Sequence, residues 1–377
     1  MIGGIIVKTL YLDNAATTHI HRDVLQEMLK SLEDYGNTEA KYYCYAENAK
    51  ENVKLARNRI ANALGCNQDE VVFTSGATEA NNLFIKGLAM AHPNKKRIII
   101  SSIEHSSIRE TCYFFKKYGY EVIEIPVDET GAIDAKFLEN SINDDTLFVS
   151  IILVNNEVGT IQDLNKIDEI CFEKKIILHT DATQAVGKVK INMSQYKSLK
   201  LLTFTAHKIY GPKGIGALII RKDEGMKLKL VPLFHGGEQE DGYRAGTLSN
   251  ELIVGFGKAT EMAVSNIDGD NEILLNLEKI LIRKLKEKFG DFITINNDFL
   301  NRIPGLVNLR FKNQNNMVLL QKMSPVVAAS TGSACSVSKP SHVLKAMGFS
   351  DDEISSSIRL SLSKYQTVDD LSLIDEL

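Results

Sequence analysis

The chain has 377 residues, with 44 basic and 48 acidic side chains and a formal net charge of −4. That length suggests two domains at roughly 100 to 200 residues each, and 44% hydrophobic with 24% charged residues exclude disorder for the chain as a whole. A near-neutral balance supplies no broad basic field, so direct binding to nucleic acid or to a membrane surface is not expected and any anionic ligand must be held locally.

Residues 1–8 are apolar but lack the basic n-region and full h-region of a signal peptide, and they predict the first strand. The longer apolar runs, such as 98–100 and 147–154, fall far below the ~20 residues of a membrane span. Residues 48–64 predict a helix, with Val53, Ala56, Ile60 and Leu64 at helical spacing and Gly65 as its stop. From residue 20 to about residue 220, β-branched runs alternate with amphipathic stretches, the pattern of an α/β sheet wrapped by crossover helices.

Five of the predicted strands end in polar or reactive residues, the place where open α/β sheets bind ligands. Strand 71–74 leads into Ser75-Gly76-Ala77-Thr78-Glu79 and a helix, whose first N–H groups suit an anion such as phosphate; an ordinary cap by Ser75 is the plainer alternative. Strand 97–103 leads into Glu104-His105, with a helix over 107–118 closed by Gly119, and strand 121–125 follows. An imidazole at His105 can stack or transfer protons, or serve structure alone.

Strand 147–153 ends at Asn155-Asn156-Glu157, a set of ligand amides or a turn. Strand 176–180 ends at Asp181, followed by Ala182-Thr183-Gln184; a buried carboxylate there needs a cation or proton donor, unless it caps a helix. Strand 201–205 ends at Ala206-His207-Lys208, ahead of Gly211-Pro212-Lys213-Gly214, where Lys208 is placed for a Schiff-base nucleophile, a solvated surface charge being the plainer alternative for a lysine taken alone. The next strand, 216–220, comes too soon for a crossover helix, so this pair is expected to run antiparallel within an otherwise mainly parallel, seven-stranded mixed sheet. A phosphate cradle, a stacking ring, a carboxylate and an amine at one sheet edge are together the parts of a pyridoxal phosphate site.

After Gly255 the texture changes to a long helix over 271–289, a strand over 306–311 and a Ser-rich region, which predicts a smaller α+β domain. The expected division is 13–257 for a large cofactor domain, with 1–12 and 258–377 forming the small one. Cys335 lies among small polar residues with Gly332 nearby, as a reactive thiol would. Arg359 sits in the strand-like Ser357-Ile358-Arg359-Leu360-Ser361, where its fork can clamp a carboxylate or form an ordinary ion pair. The five cysteines, Cys44, Cys66, Cys112, Cys171 and Cys335, show no CxxC spacing and point to reduced thiols in the cytoplasm. His19 and His21 form the only close His pair, without a third ligand, so no metal is assigned. There is no Walker loop, GxSxG elbow or RNA-recognition signature.

These motifs resemble those of the cysteine desulfurases, pyridoxal-phosphate enzymes of the class V aminotransferase group and fold type I. The resemblance rests on Tyr11-Leu12-Asp13-Asn14-Ala15-Ala16-Thr17-Thr18, Thr74-Ser75-Gly76-Ala77-Thr78-Glu79, Glu104-His105, Val154-Asn155-Asn156-Glu157, Asp181-Ala182-Thr183-Gln184, His207-Lys208-Ile209-Tyr210-Gly211-Pro212-Lys213-Gly214, Arg244-Ala245-Gly246-Thr247, Gly332-Ser333-Ala334-Cys335 and Ser356-Ser357-Ile358-Arg359. It implies that Lys208 carries the cofactor and later moves the substrate α-proton, that Asp181 pairs with the pyridine nitrogen, and that His105 stacks on the ring. Gln184 and Asn156 would contact the ring hydroxyl side, and Ala77, Thr78, Thr205 and His207 would hold the phosphate, joined by Thr247 from the partner of a homodimer. Arg359, with Asn37, would bind the carboxylate of L-cysteine, and the Cys335 thiolate would take the sulfur as a persulfide and pass it to an acceptor protein, leaving alanine.

Against the family pattern, Gly36-Asn37 is followed by Thr38-Glu39-Ala40, His235-Gly236-Gly237 continues with Glu238, and the segment from Cys335 to Ser341 is short. The chain ends at Leu377, without the extension that housekeeping members use to dock a scaffold. Iron-sulfur assembly, tRNA thiolation and DNA phosphorothioation are the pathways the resemblance offers. A selenocysteine lyase and a catalytically silent cofactor-binding partner are the alternative readings.

Overall fold

The structure, a computed structural model, describes residues 9–40, 42–222, 226, 228–332 and 340–377. Its centre is a seven-stranded sheet built from β2 (Val71–Thr74), β3 (Arg97–Ser101), β4 (Glu121–Ile125), β5 (Thr146–Ser150), β6 (Leu178–Asp181), β7 (Leu199–Thr205) and β8 (Gly216–Ile220), in the spatial order β2-β8-β7-β6-β5-β3-β4. Only β8 opposes its neighbours; it pairs antiparallel with both β7 and β2, and every other pairing is parallel. The mixed α/β sheet expected from the sequence is therefore present, with its single reversal at the short connection after Lys208.

The strands read as continuous apolar runs because both faces of the sheet are buried. Alternate residues point to opposite faces. Val71, Phe73, Ile99, Leu202, Phe204 and Ile219 join one buried cluster, while Val72, Ile98, Ile100, Leu201, Leu218 and Ile220 join the other. The first face is covered by α2 (Cys44–Leu64), α6 (Leu164–Glu173) and α7 (Asn250–Val264), through residues such as Ile60, Ile167 and Phe256. The second is covered by α3 (Ala77–Ala91) and α4 (Ser106–Lys116), through Leu83, Phe84, Ile108 and Phe115. Helix α2 ends, as its sequence predicts, at Gly65 with φ 67.

Three strands are shorter at one end than expected, strand 176–180 beginning only at Leu178. Strand 97–103 stops at Ser101, and strand 147–153 runs instead over Thr146–Ser150. Ile103, Ile151, Ile152 and Leu153 are all buried; beyond Ser150 the chain still bonds to β6, the Ile151 N–H donating to His179 O at 3.1 Å and the Leu153 N–H to Asp181 O at 3.0 Å, but it no longer runs as regular strand. The strand expected over residues 1–8 lies outside the described residues. The first described strand, β1 (Leu10–Tyr11), pairs parallel with Val327–Ala328.

A third apolar cluster is built from Leu10 and Leu12 together with residues beyond 273, including Leu281 and Leu285 of α8 (Ile267–Phe289). It packs on an antiparallel sheet of β9 (Ile293–Ile295), β10 (Leu306–Phe311) and, after β11 (Val327–Ala328), β12 (Ser357–Ser361), in the order β12-β10-β9. No helix among the described residues is long and apolar enough to cross a membrane.

A short segment near the start of the chain bonds both to the small sheet and to the turn after β7. The Ser361 N–H donates to Leu12 O at 2.7 Å, the Ala15 N–H to Ser361 Oγ at 2.9 Å, and the Thr18 N–H to His207 O at 2.9 Å. Residues 12–18 are thus bonded at one end to β12 and at the other to the turn that carries Lys208.

Candidate active site

A cavity of about 1220 Å³ opens where the strands end, and Ala77, Thr78, His105, Asn156, Asp181, Gln184, Thr205, His207, Lys208 and Arg359 all line it. At one wall β2 turns into α3. The helix cap is Gly76, not Ser75 as the plainer sequence reading had it, and it makes no side-chain cap bond. Gly76 has φ 154 and ψ 175, a region that glycine alone occupies freely. A Cβ there would meet only Thr205 Oγ1, at 3.9 Å, so the turn is backed by open space. The first turn of a helix has N–H groups without intrahelical acceptors, and here they face the cavity walls formed by Ala77, Thr78, Thr205 and His207.

Asp181 closes β6 and is 2% exposed. Its Oδ1 accepts from the Thr183 N–H at 3.0 Å, the capping-type bond its sequence allows, and its Oδ2 accepts from Asn81 Nδ2 at 3.0 Å. His105 caps α4, with Nδ1 accepting from the Ser107 N–H at 3.1 Å. Asn155 serves the turn, its Oδ1 accepting from the Glu157 and Val158 N–H groups, while Asn156 faces the cavity.

Lys208 stands at the end of a single 3-10 turn after β7. Its Nζ donates to Ala15 O at 2.7 Å and Ala16 O at 2.6 Å. Gln184 donates to the same Ala15 O at 2.8 Å, and its Oε1 accepts from Lys188 Nζ at 2.9 Å. Burial, with the charge of Lys208 second, pushes the Lys188 ammonium down to about 7. Burial and the neighbouring Lys208 and Lys213 likewise hold His207 down at about 4, so its ring is neutral at physiological pH.

Arg359, on β12, is 1% exposed. Its Nη1 donates to Asn156 O at 2.7 Å and to Gly332 O at 3.3 Å; its Nη2 donates to Asp13 Oδ1 at 2.8 Å and to Ser330 Oγ at 3.0 Å. Nε is buried and has no partner among the described residues. Beside it Glu157 is 2% exposed, and its Oε2 accepts from Ser341 Oγ at 2.6 Å. Burial raises the Glu157 carboxyl, against the lowering influence of Ser341 and Arg359.

Cys335 lies outside the described residues, as do 333–339 generally, but Gly332 and Pro340 on either side both line the cavity. The four described cysteines are free thiols and none lines it. Burial pushes Cys66 and Cys171 up to about 12 and Cys112 well above its usual value, which keeps them from acting as thiolates. Asn37 and Thr247 are not brought in. Both are exposed and outside the lining, and the Asn37 Oδ1 instead accepts from the Glu39 N–H at 2.9 Å. Sequence reasoning gave no role to Asp13, Asn81, Glu157 or Lys188, although Asp13 and Glu157 stand inside the motifs it singled out.

The family model described as Aminotransferase class-V matches residues 10–374. A protein named cysteine desulfurase IscS from Dictyoglomus turgidum is 40% identical over 370 residues, covering 97% of this chain and 92% of its own. A solved structure described as a NifS-like protein superposes with a TM-score of 0.91 at 32% identity, covering 98% of both chains. Another, SspA in complex with cysteine, does so with a TM-score of 0.82 at 36% identity, over 95% of this chain and all of the other.

Proposed function

We propose, for a chain that belongs to the class-V aminotransferase family and is a pyridoxal-phosphate-dependent cysteine desulfurase, a division of labour among the residues of its cavity. The observation that carries it is the meeting of an amine, a buried carboxylate, an imidazole and a buried guanidinium around one helix start backed by glycine. These residues fit pyridoxal phosphate. Gly76 leaves room at the N-terminus of α3 for a phosphate, and Asp181 offers a buried carboxylate to a protonated ring nitrogen.

Ala77, Thr78, Thr205 and His207 hold the phosphate, His105 lies against the ring, and Asn156 and Gln184 take its hydroxyl side. When bound, the cofactor supplies an electron sink for charge developed at the substrate α-carbon. Lys208 carries it and moves the α-proton; to do so the amine leaves the Ala15 and Ala16 carbonyls. Arg359 receives the carboxylate of L-cysteine, using the N–H on Nε that no described residue accepts. The Cys335 thiolate attacks the substrate sulfur, and the S–C bond breaks with its electron pair on the β-carbon. Protonation of that carbon completes L-alanine, and the sulfur stays on Cys335 as a persulfide for an acceptor protein.

We read the enzyme as a homodimer. Leu25, Leu29 and Leu32 of α1 (Arg22–Glu33) are 44, 54 and 56% exposed, an apolar stripe that a second copy would cover. Exposed Thr247 then reaches the phosphate of the neighbouring site. The free thiols favour the cytoplasm. The boundary of the small domain belongs after α7, not at 257, because Ala259 and Ala263 pack in the same cluster as Phe256.

The purified protein, with L-cysteine and a thiol reductant, should release alanine and sulfide in equal amounts. Cys335→Ala should stop both while leaving the cofactor absorbance in place, and Lys208→Ala should remove the lysine-linked absorbance. Normal turnover by the Cys335 variant would overturn the sulfur-acceptor assignment.

A further inference from the structure

The imidazole of His105 and the carboxylate of Asp181 come from different strands, yet a continuous chain of hydrogen bonds joins them. Asn81, fully buried on α3, donates from Nδ2 to Asp181 Oδ2 at 3.0 Å and to Ser107 Oγ at 2.9 Å. Ser107 Oγ in turn lies 2.8 Å from His105 Nδ1. The direction of every bond follows from the inventory of donors. The amide cannot be flipped, because Oδ1 would then face a carboxylate oxygen. Both Nδ2 hydrogens are therefore committed, and Ser107 Oγ accepts one of them.

The single hydroxyl hydrogen of Ser107 is left to point at Nδ1, which also receives the Ser107 backbone N–H. Nδ1 is thus an acceptor twice over and has no place for a hydrogen of its own. The arrangement leaves Asn81 Oδ1 buried without a partner among the described residues, a cost that a merely structural asparagine would not be expected to keep.

We propose that Asn81 and Ser107 are positioning residues that fix His105 as the tautomer protonated on Nε2 and make that choice depend on the Asp181 carboxylate. The proton on the ring is then presented by Nε2, and the ring plane is held by two bonds at Nδ1. Which ring nitrogen carries the proton is set by the bond the other one makes. This rests on the desulfurase reading for its catalytic consequence, though not for its geometry.

The test is long-range proton–nitrogen correlation on the holoenzyme labelled with ¹⁵N-histidine, with the His105 signals assigned through His105→Gln. Wild type should show an unprotonated Nδ1 and a protonated Nε2. Ser107→Ala removes the hydroxyl donor and leaves Nδ1 only the backbone N–H, so a fraction protonated on Nδ1 should appear and kcat fall about tenfold with KM for L-cysteine little changed, whereas Ser107→Thr, which keeps the hydroxyl, should retain the wild-type pattern. Asn81→Ala should act on the tautomer as Ser107→Ala does, with circular dichroism reporting its fold. A wild-type Nδ1–H, or a Ser107→Ala spectrum identical to wild type, would overturn the proposal. Failure of wild type to form alanine would instead sink the desulfurase reading and leave the tautomer result standing.

Discussion

Replacing Glu104 by Gln should change how stability depends on pH, in a direction fixed by the surroundings of the side chain. Glu104 is fully buried; its Oε1 accepts from Ser101 Oγ and from the Ile152 N–H, both at 2.6 Å. Its Oε2 has no partner among the described residues, and the Asp181 carboxylate is close enough to repel a second negative charge. Burial above all, against the lowering effect of those two hydrogen bonds, raises the carboxyl from 4.5 to about 8. The folded protein therefore keeps a proton that the unfolded chain has released, and stability falls as pH rises between those two values.

Glutamine keeps the Oε1 acceptor and is neutral throughout, so it stands for the protonated form at every pH. Relative to the variant, wild type should lose about 1.4 kcal/mol for each pH unit in the window, or about 5 kcal/mol from end to end. Urea unfolding at matched protein concentration, at pH 5.5, 6.5, 7.5 and 8.5, measures the difference. A difference that is flat with pH, or that grows in favour of wild type, refutes the claim that Glu104 is buried as the acid.

Three further outcomes follow from other contacts. A Cβ on Gly216 would lie 2.7 Å from Gly76 Cα, so Gly216→Ala should push the phosphate turn and weaken cofactor binding about tenfold, from ~1–3 kcal/mol of overpacking; unchanged affinity in an absorbance titration counts against that turn as the phosphate site. Asp13→Asn keeps an acceptor for Arg359 but removes the competing charge, so KM for L-cysteine should fall about tenfold if ~1.4 kcal/mol of the ion pair passes to the substrate, and a higher KM would mean that Asp13 orients the guanidinium. Lys188 is lowered from 10.5 to about 7, so the unfolded chain binds the extra proton in that window and wild type should gain stability over Lys188→Met as pH rises through it, by at most about 1.4 kcal/mol per unit; equal midpoints at pH 7 and 9 would show an ammonium open to solvent.

The sheet was legible because its strands are short β-branched runs bounded by polar residues, and β2, β4, β8 and β10 have the bounds their residues predict. Strand ends differ where buried Ile103 and Leu153 continue the apolar run past the last regular residue, Ser101 and Ser150. The residues at the carboxyl ends announced themselves by chemistry, and the cavity gathers them. The residues behind them did not. Asn81 is one of two adjacent asparagines in a helix that also carries Thr78, Glu79 and Lys86, and Glu104 is a carboxylate beside a more conspicuous histidine; their meaning comes from partners 26 to 100 positions away. Asn37, by contrast, stood next to a motif and bonds only its own turn.

The tie between residues 12–18, the Lys208 turn and β12 sets a timetable for the newly made protein. Asp13 meets Arg359 across 346 positions, so the chain's early residues wait for nearly its last strand before the substrate end of the cavity exists. A nascent chain that has made its central sheet and even its lysine still lacks the guanidinium for the substrate. Contacts of such separation form late, and a ribosome-bound fragment stopped short of residue 357 should take up cofactor more readily than it consumes cysteine.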